Sequence, residues 1–460
     1  MNETKKTLWF AGSGVVLAII ALLLAPGRIT PEAFLDQGQP FFPQFTDPNE
    51  AVTLEVIDFN QQTGAAQPFK VTFNNGRWTI PSHNDYPADA KDRLAKTAAG
   101  VIGIKKDDFR SDNVADHEQC GVVDPLDNSA PGLAGRGKRV TLKGKTDNVL
   151  ADFIVGKDIK ERPGFRFVRV PGQKRVYAVR MTVDLSTKFE DWINADLLEV
   201  DKGKIDKIAL MDYSINERTL RIEQRDNVIL TRDGATWKAN NMKAGQAVDS
   251  AKMQELLTAI DKLSIVDVQP KPQGLSQNLM EGSGGMTISM NDRMSLQSKG
   301  FYLTREGDLK SNEGELQVHA ADGVVYTLRF GEVLYGSGLG ATAGGEESQK
   351  AGAAENRYLF ITTDFDPSQL PEPNKPAGTA FLTKPDSLWT DADREQKRLL
   401  DAHESWKQGI ERGRKHSDDL NTRFADWYYV ISAASFDKLH LTRKDLVGVK
   451  KSATEEKKEG

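Results

Sequence analysis

Apolar and polar positions follow one pattern that occurs twice along the chain. In the clearer copy a strand-like stretch and a turn lead to Trp237, and Asp249 then precedes a segment whose apolar residues recur every three or four positions. That spacing is typical of a helix with one buried face. The fainter copy has Trp78, 159 residues before Trp237, and Asp89 as its possible helix cap. A repeat of this length predicts a duplicated domain, because solenoid repeats are only about 20–50 residues long.

Each copy also contains a late strand that reaches a glycine, and that glycine would let the chain turn out of the strand. If the copies are duplicates, three pairs of residues should occupy equivalent places: Trp78 and Trp237, Leu94 and Leu257, and Gly156 and Gly331. An amphipathic helix needs a sheet to cover. We therefore predict an α+β fold with an N-terminal transmembrane helix, two duplicated, mainly antiparallel β-sheet domains each covered by one helix, and a helical C-terminal segment.

The strands, the glycine-containing turns before Trp78 and Trp237, the amphipathic helix and the late strand with its glycine resemble the domain of unknown function 4340 family, in two copies over about Ala51 to Asp366. Members of that family are uncharacterised bacterial envelope proteins with an N-terminal membrane anchor. They are often associated with ABC-type transporters of the gliding-motility auxiliary kind. The resemblance thus implies a membrane-anchored envelope protein, and it supplies no catalytic residue.

The beginning of the chain predicts a membrane anchor. Residues 7–25 are 19 consecutive residues without a charge, and a membrane span takes about 20. Lys5 and Lys6 precede this run, so the positive-inside rule places the N-terminus in the cytoplasm. A cleaved signal peptide is the alternative, although no small-x-small cleavage site follows the run. We expect a single-pass protein of the inner (cytoplasmic) membrane whose bulk is extracytoplasmic, in the periplasm.

Changes in composition divide the chain further. The predicted segments are a cytoplasmic N-terminus (1–6), a transmembrane anchor (7–25), a tether (26–50), a first repeat domain (51–200), a second repeat domain (205–370), a helical C-terminal segment (384–449) and a charged, disordered tail (450–460). The first repeat domain should close with a short helix that packs Phe189 and Trp192 inward. In the C-terminal segment, Ser417 is a plausible helix start.

Composition and motifs exclude several classes of function. The chain has 61 basic and 66 acidic residues, and a nucleic-acid-binding protein normally has a basic excess. The single cysteine, Cys120, excludes an intrachain disulfide and a multi-thiolate metal site. The glycine-rich stretch between Phe330 and Arg357 lacks the Gly-Lys-Ser/Thr of a phosphate-binding loop and predicts a flexible insertion. His83 and His117 lie in loop-like clusters with acidic neighbours; each cluster could bind a cation, but the pattern favours an ordinary solvated loop. We find no nucleophile elbow or zinc motif, and we expect no enzymatic activity, cofactor or metal.

One group of basic residues is a candidate anion-binding face. It lies on neighbouring predicted strands and comprises Arg166, Arg169, Lys174, Arg175 and Arg180. Lipid headgroups or a cell-wall polymer could bind there, whereas an ordinary solvated sheet face is the alternative.

Three hypotheses for function follow. The first is a non-enzymatic, membrane-anchored accessory or scaffold protein with partners in an ABC-type transporter assembly. The second is an envelope module that binds a cell-wall glycan or an anionic lipid. The third is an envelope hydrolase whose site has no recognisable motif.

Overall fold

The computed structural model describes residues 3–24, 36–61, 64–129, 132–194, 196–216, 218–219, 221–281, 288–304, 307–335, 342–343 and 355–449. The predicted disordered tail, the first part of the predicted tether and most of the glycine-rich insertion lie outside the described residues.

The first unit, residues 36–200, is built on one sheet, and helix α1 precedes it. In chain order the elements are α1 (Glu3–Leu24), β1 (Thr53–Asn60), β2 (Ala65–Asn74), β3 (Arg77–Ile80), β4 (Tyr86–Pro87), α2 (Lys91–Ile102), β5 (Asp108–Ser111), α3 (Asp116–Cys120), β6 (Lys138–Lys143), β7 (Val149–Asp158), β8 (Phe165–Arg169) and β9 (Val176–Arg180). A short 3-10 helix, Phe189–Trp192, then buries both of its aromatic side chains, as the sequence predicts.

The second unit, residues 201–449, is built on another sheet. Its elements are β10 (Ile205–Asn216), β11 (Arg221–Asp233), β12 (Thr236–Ala239), β13 (Gln246–Val248), α4 (Ser250–Asp261), β14 (Asp267–Pro270), α5 (Gln273–Glu281), α6 (Met290–Gln297), β15 (Phe301–Leu303), β16 (Leu309–Ser311), β17 (Glu315–Ala320), β18 (Val324–Tyr335), β19 (Thr342–Ala343), β20 (Glu355–Phe365), α7 (Asp391–Ala425), β21 (Trp427–Ser432), α8 (Ala433–Leu439), α9 (Arg443–Leu446) and β22 (Val447–Val449).

The two sheets share one strand order, except that the short strand β4 at the edge of the first has no counterpart in the second. The first runs β4-β3-β2-β1-β6-β7-β8-β9-β5, and the second runs β12-β11-β10-β17-β18-β20-β21-β14, with β19 paired to β18. All of these neighbouring strands are antiparallel. The prediction of antiparallel sheets combined with helices is therefore confirmed.

Helices α2 and α4 occupy equivalent places in the chain: α2 lies between β4 and β5, and α4 lies between β13 and β14. Strands β5 and β14 are the last in their sheet orders. Each buries one apolar stripe, and that stripe includes Leu94 in α2 and Leu257 in α4. The Asp249 carboxylate caps α4 by accepting from two backbone N–H groups of its first turn. Asp89 does not cap α2, whose N-cap is Ala90 without a side-chain bond. The prediction of a capping aspartate is right for the second helix and wrong for the first.

The paired glycines do not turn the chain out of their strands. Gly156 lies inside β7 and Gly331 lies inside β18, and neither has a positive φ. A Cβ at Gly156 would collide with the carbonyl oxygen of Cys120, the last residue of α3, and one at Gly331 would collide with the Lys299 carbonyl oxygen just after α6. Glycine is therefore needed at both places for close approach of backbone to backbone.

The close packing at Gly156 and Gly331 predicts that alanine at either place destabilises the protein. Gly156→Ala and Gly331→Ala should each lower the free energy of unfolding by about 1–3 kcal/mol, because the added methyl overpacks a site bounded by backbone. Urea unfolding of the full chain measures the change. Gly409→Ala in α7 is the control, since nothing lies within 4 Å of its Cβ position. That substitution should stabilise the chain by about 0.5–1 kcal/mol, and unchanged stability of both strand variants would contradict the close-approach explanation.

A strand from the C-terminal segment completes the second sheet. The chain leaves β20, forms the long helix α7 and returns as β21, which pairs with both β20 and β14. The second sheet thus extends beyond residue 370, where the sequence places the end of the second repeat domain. Helix α7 begins at Thr390 with a capping box and continues without a break through Ser417, so the predicted helix start at Ser417 is wrong.

The two units pack into one body. Buried side chains from both sheets belong to one continuous apolar core, which includes Phe153 in the first and Leu316 in the second. Across the joint, Asn84 Nδ2 donates to the Val268 carbonyl oxygen over 2.9 Å. The Tyr86 ring lies edge-on to Trp427, with centroids 5.1 Å apart.

The described part of the predicted tether packs on the first unit. Phe41 and Phe45 are buried in its core. The Tyr177 hydroxyl donates to an Asp36 carboxylate oxygen over 2.5 Å, and the Lys106 ammonium lies 3.2 Å from the same oxygen. Desolvation opposes ionisation of this carboxyl, but these hydrogen bonds outweigh it and lower the pKa of Asp36. The polar contacts thus fix the entry of the chain into the first sheet.

Helix α1 occupies the region of the predicted anchor. Among the described residues, no helix is long and apolar enough to cross a membrane. The structure therefore does not support the predicted transmembrane helix at residues 7–25.

Candidate functional site

An open cleft lies on the first sheet, on the face opposite α2; we call it the outer cleft. Phe167 of β8 and Ala178 of β9 form its floor, with Cys120 at the end of α3. The cleft has a volume of about 800 Å³. The other residues around it are Asp108, Arg110, Ser111, Asp116, Gln119, Lys157, Asp158, Ile159, Lys160, Glu161 and Arg162. Binding sites are commonly concave and of this size, so we take the outer cleft as the candidate site.

The equivalent face of the second sheet is covered. There α5, α6 and the β15–β16 hairpin bury a separate apolar cluster around Phe301, Phe360 and Tyr428. The corresponding face of the first sheet buries only a small cluster around Cys120 and Val176, against which Phe167 is half-buried. The same strand order therefore supports a closed outer face in one unit and an open one in the other.

Charges of both signs surround the outer cleft, and several already have partners. The Arg162 guanidinium lies 3.0 Å from the Asp108 carboxylate. The Lys157 ammonium donates to the Gln119 carbonyl oxygen over 3.1 Å. The Arg110 guanidinium is exposed and stands over the Phe167 ring, 5.8 Å from its centroid. Arg110 above an aromatic floor is thus the feature best placed to contact a ligand.

Cys120 lies at the bottom of this cleft and is 5% exposed. Desolvation by burial raises the pKa of the Cys120 thiol. A protonated, buried thiol is a poor nucleophile. Cys120 therefore acts as a small packing residue.

The five basic residues of the predicted anion-binding face do not lie together. Directly paired residues of antiparallel strands share a face, and Arg169 pairs with Val176 whereas Arg166 pairs with Val179. Val176 belongs to the cluster beneath the outer cleft, and Val179 belongs to the main core on the other side. Arg166 and Arg169 therefore point to opposite sides of the sheet.

Two of these arginines are tied to protein partners. Arg169 is 7% exposed and donates from Nε to the Val122 carbonyl oxygen over 2.9 Å. Desolvation by burial lowers its pKa. Arg175 forms a bidentate pair with Asp112, at 2.9 and 3.0 Å, and this pairing raises the pKa of Arg175.

The remaining three basic residues lie nearer to solvent. Arg166 Nε lies 3.1 Å from an Asp158 carboxylate oxygen. Lys174 and Arg180 are exposed. Within the described part of the chain, Lys174 and Arg180 form no ion pair. Arg180 lies on the face of the sheet opposite Arg166, because its neighbour Val179 is the residue that pairs with Arg166.

The two histidine clusters of the predicted loops are more buried than their sequences suggest. His83 and His117 are 8% and 7% exposed. The His83 ring stacks on Phe189, with centroids 4.6 Å apart, and Nε2 of His117 lies 2.8 Å from the Lys174 carbonyl oxygen. Their prediction as solvated loop residues is wrong. Within the described residues, no group of three or more His, Cys, Asp or Glu side chains is placed to hold a metal ion.

The model of one protein family matches residues 78–278; its description is domain of unknown function (DUF4340). The match begins in β3 and ends in α5, so it covers the later part of the first unit and the earlier part of the second. The predicted resemblance to this family is confirmed over those residues, as one match. No curated protein and no solved structure matches the chain significantly.

Sequence reasoning missed the outer cleft because its parts are far apart in the chain. Arg110, Lys157 and Phe167 come from β5, β7 and β8, which the sheet order brings together. The strand pattern could have separated Arg166 from Arg169, since residues an odd number apart on one strand point to opposite faces. No local signal indicates that the cover over the first sheet is smaller than that over the second.

Proposed function

We propose that this protein is a non-enzymatic accessory or scaffold protein of the cell envelope that serves an ABC-type transporter assembly of the gliding-motility auxiliary kind. One observation carries this proposal: the two units share one continuous apolar core and form a single body. A protein whose domains close on a small substrate usually has a site in a mobile cleft between them. Here the joint is filled by packed side chains, which suits a rigid platform for protein partners.

The joint is fixed by polar contacts as well as by packing. Arg423 at the end of α7 pairs with Glu199 and also donates to the Asp196 carbonyl oxygen over 3.0 Å. Tyr86 is 7% exposed between Phe189 of its own unit and Trp427 of the other. Such contacts hold two surfaces in one relative orientation, which is what a scaffold requires.

Membrane attachment is part of this proposal. It is supported by the 19 uncharged residues at 7–25, with Lys5 and Lys6 before them. The resemblance to the envelope family supports the class of partner, namely the permease and ATPase subunits of an ABC-type transporter. On this view the chain is attached to the inner membrane through its N-terminal region and has the rest of its mass in the periplasm.

We further infer that the two units are two copies of one ancestral domain. The shared strand order, the equivalent helices α2 and α4, and the two close-approach glycines support this inference. Duplication explains why strands that come at matching points of the chain take matching positions in the two sheets. The outer cleft is open in the first unit and the equivalent face is covered in the second, so the two copies then differ in role.

Co-purification tests the proposed role. The full-length protein, tagged at its C-terminus and extracted from its own membranes in a mild detergent, should retain permease and ATPase subunits. The double variant Tyr86→Ala and Arg423→Ala should retain several times less of them, because it loosens the joint while leaving each sheet intact. Mass spectrometry with labelled standards measures the ratio.

Arg398→Ala is the matched control, since Arg398 also lies on α7 but its partner among the described residues is Glu395 on the same helix. It should leave the retained subunits unchanged. If neither subunit is retained by the unmodified protein, and it instead sediments with purified cell-wall sacculi or anionic vesicles, the accessory role is wrong. That result would favour the envelope-binding module, with the outer cleft as its site.

A further inference from the structure

Helix α6 exposes two methionines to solvent. Met290 and Met294 are 71% and 61% exposed. Of the other methionine side chains that the structure describes, Met181 and Met253 are buried, and the rest are at most half-exposed. An apolar thioether is usually placed in a core, so this pair needs a specific explanation.

The helix that carries these methionines is firmly fixed at both ends. Ser289 and Asp292 form a capping box at its start. Leu296 in its last turn is fully buried in the cluster beneath the second sheet's outer cover. Residues four apart on a helix are neighbours, with Cβ atoms about 5–6 Å apart. The two methionines therefore lie on the same face of the helix, one turn apart.

The chemistry of this patch favours a soft, singly charged cation. Thioether sulfur is a soft neutral donor and selects Cu(I) among biological metals. The one carboxylate of α6, Asp292, is buried and engaged in the capping box. Arg293 is exposed beside the pair, and its charge opposes a divalent ion more strongly than a monovalent one. Mg²⁺ and Ca²⁺, which need several oxygen ligands, do not fit this donor set.

The sequence concentrates thioethers in the same region. Four of the nine methionines of the chain lie between residues 280 and 294. A surface that only needed to be apolar would be served equally well by leucine. The recurrence of methionine, whose thioether sulfur is an uncharged soft ligand, therefore favours a metal-binding role.

We propose that Met290 and Met294 form a binding site for Cu(I), or for the chemically similar Ag(I). The site lies in the second unit and is independent of the proposed scaffold role. It adds a capacity to bind a soft monovalent cation through neutral sulfur ligands.

Titration of the full-length protein with Cu(I) tests this proposal. Cys120→Ser is introduced first, so that the only thiol is absent, and anaerobic competition with the chromophoric chelator bicinchoninate gives the affinity. Met290→Leu and Met294→Leu should each weaken Cu(I) binding at least about tenfold. The double variant should lose the site. Leucine has nearly the volume of methionine, so folding should be unchanged.

Met253→Leu is the control, because Met253 is a methionine buried in α4; it should leave the affinity for Cu(I) unchanged. Carbon-13 methyl spectra supply a second measurement, in which the Met290 and Met294 resonances should shift when Ag(I) is added. Absence of Cu(I) binding by the starting protein would overturn the proposal. So would a double variant that binds as tightly as its parent, or an equal loss in Met253→Leu.

Discussion

Trp192→Ala should lower the free energy of unfolding by about 3–5 kcal/mol, the cost of removing a fully buried large aromatic side chain. Trp192 has no exposed surface and packs against Phe69, with ring centroids 5.8 Å apart. Its indole N–H donates to the Ser186 carbonyl oxygen over 3.0 Å, and the Arg93 guanidinium stands 5.2 Å from the ring. The truncation would leave both a cavity and an unpaired carbonyl group. Urea unfolding followed by circular dichroism measures the loss.

Trp78→Ala is the matched control for this change. Trp78 and its counterpart Trp237 are half-buried at the edge of the core, in β3 and β12. Because less apolar surface is removed from water, Trp78→Ala should cost clearly less than Trp192→Ala. Equal losses would mean that the edge of the first sheet is packed as tightly as its centre.

The sequence pattern predicted the shared layout of the two units because its two marks are local. A helix with one apolar stripe and a tryptophan shortly after a glycine-containing turn are visible within a few residues. Both occur at matching places in the two units, in β3 and α2 of the first and in β12 and α4 of the second. The sequence also indicated that Gly156 and Gly331 are equivalent, but it did not show why glycine is needed there. The reason is the close approach of a backbone carbonyl from a distant part of the chain, at the end of α3 or just after α6, which no local pattern reveals.

The last strands of the second sheet were hidden for a different reason. Between β20 and β21 the chain makes an excursion that contains the 35 residues of α7. In the first unit the corresponding strands β8 and β9 are joined by a short turn. The apolar residues after Phe424 continued a helical pattern, so they suggested more helix. Their pairing with β14 and β20 depends on tertiary contacts, which override local propensity.

The candidate site was less predictable from the sequence than the fold. Basic residues on neighbouring strands were recognised, but burial of Arg169 and pairing of Arg175 with Asp112 depend on segments at least 47 residues away. The residues of the outer cleft, in contrast, have no common sequence motif. Arg110 and Phe167 meet only because β5 follows β9 in the sheet order.

Acidification should destabilise the protein through His83, by up to about 3 kcal/mol between pH 6.5 and pH 4. Desolvation by burial lowers the pKa of His83 to about 4, from 6.5 when unfolded. Between these two values the unfolded chain binds a proton at this residue and the folded chain does not. The free energy of unfolding therefore falls as the pH falls through this window, and the contribution is fully present only above pH 6.5. Chemical unfolding at a series of pH values measures the slope.

His83→Phe isolates this contribution. Phenylalanine can keep the stacking on Phe189 and cannot take up a proton, while Ser82 still accepts from the Lys70 backbone N–H over 3.1 Å. The variant should therefore lose less stability than the unmodified protein between pH 6.5 and pH 4, by about 3 kcal/mol. His416→Gln is the control, because His416 lies at the surface beside Asp322, and it should not remove this loss. If His83→Phe shows the same slope as the unmodified protein, protonation of His83 does not cause the loss of stability in acid.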